Sequence, residues 1–221
     1  MDANLIQKIT VFAIPLIFAI TLHEAAHAFA ARFFGDSTAY MLGRMTLNPI
    51  KHIDPIWTIA IPLLTMLTAG FPFGAAKPVP VNFGGLQNPK RDMIWVAAAG
   101  PFANLLMMIA WAVLGKIVIA VPDSGPANFL ALVAGAGIFV NALLMVFNLL
   151  PLLPLDGGRI LTGLLPNRLA YSFSRTEPYG MFVLIGLIFL DSVGITNFFG
   201  LIVRPLVQFS TNSIYAIIGL S

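Results

Sequence analysis

Cysteine is absent from the 221 residues. That excludes a disulfide framework and any thiolate metal site, and leaves His, Asp, Glu and water to hold a metal. Charge is scarce as well. Asp, Glu, Lys and Arg make up 10% of the chain, against about 25% in soluble domains. Twelve bases and nine acids, net +3, are too few for a nucleic-acid surface, so no nucleic-acid partner is expected. No internal repeat and no low-complexity tail is visible. What the chain has in abundance is apolar sequence: 58% hydrophobic residues and a mean hydropathy of +0.90. That composition belongs to an integral membrane protein in contact with the lipid bilayer.

Segment 5–34 is long enough to span. At 1.5 Å per residue it reaches about 45 Å, more than the ~30 Å hydrocarbon core. "AFAA" imitates a signal cleavage site, but Glu24 and two histidines sit inside the stretch, so it reads as a retained helix. Segment 35–52 is polar and rich in turns. Segment 53–73 is apolar but interrupted by Asp54, Pro55, Pro62 and Pro72. Segments 93–121 and 127–152 are strong spanning candidates, and 179–203 and 205–220 are further apolar stretches. The expected fold is an all-α polytopic membrane protein of about five to six membrane helices. It forms one domain over 1–221, with a catalytic core at about 5–165 and C-terminal helices at about 179–221.

Basic residues orient it. Arg32, Arg44, Lys51, Lys77, Lys90 and Arg91 lie between the first helix and segment 93–121, and Arg159, Arg168 and Arg175 follow segment 127–152. The connection 122–127 has none. By the positive-inside rule, 35–92 and 156–178 face the cytoplasm and the N-terminus lies outside.

The chemistry is concentrated in "TLHEAAHAFAARFF", residues 21–34. On a helix, His23 and His27 stand one turn apart on one face, so both imidazoles reach one zinc ion, and Glu24 lies beside it as a general base. Glu24 is the sole carboxylate between Asp2 and Asp36. A lone carboxylate in apolar surroundings costs several kcal/mol unless it is paired or neutralised, and a metal resolves that cost. Two histidines leave a catalytic zinc one protein ligand short. The remaining candidates are Asp36, His52, Asp54, Asp92, Asp123, Asp156, Glu177 and Asp191. Asp156 stands out because it ends a spanning segment in "NLLPLLPLDGGR", where prolines and glycines break the helix at membrane depth. His52 and Asp54, in "KHIDP", read as capping or interfacial residues.

Helix parity is an independent constraint. Two crossings, 93–121 and 127–152, return Asp156 to the depth of His23 and His27. A third full crossing at 53–73 would put it on the wrong side, so 53–73 is expected to be re-entrant or interfacial.

"HEAAHA", "AAKPVPVN", "NPKRDMIWVAAAGPFANLL" and "NLLPLLPLDGGRIL", in this order over about residues 10–165, resemble the site-2 protease family of intramembrane zinc metalloproteases. The resemblance is to compact members without PDZ or CBS domains. It implies one Zn²⁺ per chain held by His23, His27 and Asp156, with Glu24 activating water. It also implies that Asn148, eight residues before Asp156, belongs to the active site, where its amide can serve as a donor to the scissile carbonyl. The implied partners are membrane-protein substrates with a transmembrane segment. The implied location is the prokaryotic cell membrane, with the site toward the cytoplasm.

A transmembrane substrate must unwind before attack, and something must hold it extended. In "AAKPVPVNFGG", Val79, Val81 and Phe83 alternate onto one face, while Pro78 and Pro80 blank one edge. A small β-hairpin near residues 71–85 is therefore expected, binding substrate through the Val79 and Val81 amides. Two rival classes lack support in the sequence. An ion-coupled transporter would show matching broken helices in two halves, and a catalytically silent membrane binding protein would not need Glu24. The topology is testable because the chain has no cysteine of its own. Single cysteines placed within 74–92 are expected to label only from the cytoplasmic side, and labelling from outside sinks the arrangement.

Overall fold

The computed structural model describes residues 5–61 and 77–220. Its helices are α1 (Leu5–Phe33), α2 (Thr38–Met41), α3 (Pro89–Ile119), α4 (Gly125–Asn148), α5 (Asp156–Leu164), α6 (Asn167–Ser174), α7 (Glu177–Ser192) and α8 (Arg204–Ile218). Short 3-10 or π-helical turns occur at Pro49–Lys51, Pro55–Ala60, Phe83–Gly85 and Phe199–Val203.

Among the described residues, four helical stretches are long and apolar enough to cross a membrane: Ile9–Phe33, Pro89–Ile119, Gly125–Asn148 and Phe199–Ile218. The pair α6–α7, bent by 60°, makes a fifth if it counts as one span. Among the described residues the count is thus four to five, where five to six were expected of the whole chain. Of the segment 53–73, Pro55–Ala60 forms a π-helical turn. Residues 62–73 lie outside the described residues, so the re-entrant reading of that segment does too.

The helices end where their sequences stop them. Pro89 opens α3 at a position whose amide needs no helical partner. The Ser124 hydroxyl caps α4 by accepting the Ala127 amide at 3.3 Å. Gly219, with φ +72°, takes the left-handed residue that closes α8.

Small residues bring the spans together. On α1, Ala19, Ala25, Ala28 and Ala31 are at most 1% exposed. On α3, Ala97, Gly100, Asn104, Met108 and Ala112 are buried. Without a strong hydrophobic drive between helices in lipid, such close backbone approach maximises dispersion contact. Helices α1, α3 and α4 pack mutually, and α5 lies against α3. Val203, Val207 and Ile214 close the far side of the core against Met108, Ile138 and Val146.

No part of the expected β-hairpin is present among the described residues. Among the described residues there is no strand, and residues 77–82 run as irregular chain into the Phe83–Gly85 turn. The 71–76 part of the expectation falls outside the described residues. The physical reason lies in where the backbone groups of this segment go. The Lys77 amide donates to the His52 carbonyl at 3.0 Å. Arg44 donates to the Lys77 carbonyl at 3.0 Å. The Val79 amide donates to the Glu24 carboxylate and the Asn82 amide to the Asp36 carboxylate, both at 2.7 Å. Groups that a ladder would use are taken instead by three side chains and by the His52 carbonyl. The side chains still alternate: Val79 packs on Ala28 and Ala39, and Val81 lies with Ala31, Leu86 and Val96.

Asp36 anchors the far end of this segment. Burial works against its charge. The Thr38 hydroxyl and amide and the Asn82 amide overcome that and hold its carboxyl below the usual carboxylate value. A depressed folded value means that the stabilisation is present above the unfolded value and is lost as pH falls through the folded one. Asp36→Asn is expected to lower stability by about 1–3 kcal/mol at pH 7. The gap to wild type in thermal unfolding should narrow below about pH 4.

Candidate metal centre

Helix α1 delivers the first two groups. His23 and His27 are buried, and their ring centroids are 4.7 Å apart. Helix α5 delivers the third: Asp156 is its first residue, and its carboxylate is also buried. Asp156 Oδ2 lies 3.2 Å from His23 Nε2 and 3.4 Å from His27 Nε2. The two Nε2 atoms are 3.1 Å apart. Among the described residues this is the group of three or more ligand-type side chains that converges on one point.

The triangle fits zinc. A tetrahedral ion with bonds of about 2.0–2.1 Å separates its ligand atoms by roughly 3.3–3.4 Å. Asp156 Oδ2 is also a buried oxygen to which no group donates a hydrogen bond. His27 Nδ1 lies 2.7 Å from the Val96 carbonyl. A carbonyl only accepts, so Nδ1 carries a proton, and in the neutral ring Nε2 is then the nitrogen with a lone pair to offer a metal. Lone pairs crowded on one point are stabilised by a cation among them.

Glycine makes the room. A Cβ on Gly100 of α3 would stand 2.4 Å from His27 Nε2 and 2.6 Å from His23 Nε2. Gly157 is constrained similarly, since its Cβ would meet the Leu149 carbonyl oxygen at 2.2 Å. The loop before α5 is backed by Gly180 of α7, whose Cβ would fall 1.6 Å from the Leu153 carbonyl oxygen. Arg159, one turn after Asp156, donates to Glu177 at 2.8 Å and stacks over Phe83 at 4.8 Å.

The other expected residues sort as follows. Glu24, next to His23, accepts the Val79 amide, so that amide is occupied rather than free. Asn148 ends α4 with its Nδ2 donating to the Leu144 carbonyl at 3.0 Å. Most of the rival third ligands are engaged elsewhere. His52 donates to the Thr46 carbonyl at 2.8 Å, and Asp54 accepts the Ile56 amide at 2.9 Å. Asp92 accepts the Asn88 amide at the start of α3. Glu177 pairs with Arg159, and Asp191 accepts the Phe198 amide. Asp123 is exposed. Gly100 and Asn104 lie in the stretch "NPKRDMIWVAAAGPFANLL", where nothing local marks either as a neighbour of the two histidines. Asn104 Oδ1 is in fact 2.6 Å from His23 Nδ1. Gly100→Ala should lower zinc affinity by about tenfold or more, comparable to the loss of a group supporting a ligand. Gly135→Ala on α4, where a Cβ meets nothing within 4 Å, should leave it unchanged. Zinc-to-protein ratios after dialysis against a graded chelator provide the check.

Comparison with known proteins bears on the same residues. The profile described as Peptidase family M50 matches residues 113–190, a stretch that includes Asn148 and Asp156. A Bacillus subtilis (strain 168) protein named "Putative zinc metalloprotease YwhC" is 39% identical over 188 residues, covering 82% of this chain and 80% of that protein. "Putative zinc metalloprotease Rip2" of Mycolicibacterium smegmatis is 30% identical over 173 residues, covering 78% of this chain and 64% of that protein. The protein of the same name from Mycobacterium tuberculosis (strain H37Rv) is 31% identical over 191 residues, covering 83% and 68%. No solved structure matches the chain. With helices apolar enough to span a membrane and a His–His–Asp centre between them, the chain belongs to peptidase family M50, the site-2 protease family.

Proposed function

We propose that the protein is an intramembrane zinc endopeptidase that hydrolyses peptide bonds within or near the transmembrane segments of other membrane proteins. The observation that carries this reading is the convergence of His23, His27 and Asp156 beside Glu24, on a helix that itself qualifies as a membrane span. A soluble substrate has no need of a site at that depth. His23, His27 and Asp156 hold the metal. Bound there, zinc supplies Lewis acidity and lowers the pKa of water toward ~7.

The remaining work falls to the chain's own side chains. Glu24 has one carboxylate oxygen engaged with the Val79 amide at 2.7 Å. That bond fixes the carboxylate, and its other oxygen takes the proton of the attacking water and passes it to the leaving amine. Asn148 is assigned as the donor to the scissile carbonyl. One N–H of its amide is bonded to the Leu144 carbonyl in this structure, which leaves the second to serve as that donor. An extended substrate is assigned to the neighbourhood of Val79 and Val81, whose side chains are seated on α1. The crowding of basic residues at 35–92 and 156–178 favours the cytoplasmic side for the site.

Glu24→Gln is expected to keep wild-type zinc content and lose proteolysis by about 10²-fold or more, the scale of a positioned acid–base group. Membrane fragments that accumulate only in cells carrying the wild type would then identify the substrate. Full proteolysis in the mutant would refute the mechanism and favour a role that does not need Glu24.

A further inference from the structure

Asn104 and Asn141 do more than pack. Both are fully buried between helices, with no exposed area. Asn141 Nδ2 donates to the Gly137 carbonyl at 2.8 Å, within α4. Asn104 Nδ2 on α3 donates to Asn141 Oδ1 at 2.9 Å. Asn104 Oδ1 faces His23 Nδ1 at 2.6 Å.

This chain has a direction that its first member imposes. A backbone carbonyl can only accept, so Asn141 must present its NH₂ to Gly137 and its oxygen outward. That oxygen requires the NH₂ of Asn104, which turns the Asn104 oxygen toward His23. A carboxamide oxygen also only accepts, so His23 Nδ1 must carry a proton, and in the neutral ring Nε2 is then the nitrogen whose lone pair is left for the metal. Flipping either amide would set acceptor against acceptor or donor against donor at two buried contacts at once. His27 reaches the same state directly, through the Val96 carbonyl. His23 has no such direct bond, and the two asparagines carry the polarity of the Gly137 carbonyl to it.

We propose that Asn104, oriented by Asn141, is the positioning residue that fixes the metal-binding tautomer of His23 and thereby sets zinc affinity. The inference rests on the zinc reading of the site given above. It concerns binding and not the peptide chemistry, so its test does not depend on knowing a substrate.

The experiment measures zinc dissociation constants by chelator competition on the purified full chain in detergent. Asn104→Leu, close in size and unable to accept, is expected to weaken zinc binding by about 10–100-fold. Asn141→Leu removes only the orienting partner and should cost less than Asn104→Leu. Asn104→Asp keeps an obligatory acceptor toward His23 while losing the bond to Asn141, and should bind zinc more tightly than Asn104→Leu. A packing role predicts the reverse order, because a buried carboxylate is a worse filler than leucine. Wild-type affinity in Asn104→Leu, or weaker binding in Asn104→Asp than in Asn104→Leu, overturns the proposal. Should Asn104→Leu fail to fold, nitrogen NMR of zinc-loaded wild type with labelled histidine decides. A protonated Nδ1 on a metal-bound His23 supports the relay, and metal on Nδ1 overturns it. A wild type that takes up no zinc overturns the site reading and this inference with it. A wild type that binds zinc while the asparagine variants are indifferent overturns this inference alone.

Discussion

Two imidazoles have to fit between two membrane helices, and most of the molecule follows from that. The rings of His23 and His27 point from α1 into the space where Gly100 of α3 has no side chain. Closer packing would exclude them, and looser packing would strand their polar atoms in an apolar interior at a cost of several kcal/mol. The alanines of α1 and the Ala97–Gly100 turn of α3 set the spacing between these limits. The outer nitrogens of both rings and one oxygen of Glu24 each have a partner: the Val96 carbonyl for His27, Asn104 for His23, the Val79 amide for Glu24.

Much of this was legible in the sequence, for reasons that can be stated. The relation of His23, Glu24 and His27 is local, and the helix period places them without any tertiary knowledge. Asp156 was legible because the spans on either side of 122–127 run out and back, and because prolines and glycines end a spanning segment beside it. The rival ligands could not be dismissed from the sequence. Asp36, Asp92, Glu177 and Asp191 are engaged with partners that only the folded chain supplies.

The hairpin at 71–85 shows where such reading stops. Alternating valines between prolines have the pattern of an edge strand, and the alternation of contacts is real. A strand, however, needs a partner ladder, and whether one exists depends on groups far away in the chain. Glu24 is 55 residues from Val79 and Asp36 is 46 from Asn82. Asn104 was obscured in the same way. A buried asparagine in a membrane helix reads as an interhelical tie, and nothing local reveals that its partner 81 residues away is a ligand-bearing ring.

Gly180 bears on where the working unit ends. Its backbone lies directly against the Leu153 carbonyl, in the turn that delivers Asp156, and Glu177 on the same helix holds Arg159. The core expected at about 5–165 is thus in direct contact with a helix that follows it in the chain. A shortened chain stopping there would keep all three ligands and lose the surface that braces one of them. For anyone trimming this protein to a smaller scaffold, α7 counts as part of the centre it buttresses, although it contributes no ligand to it.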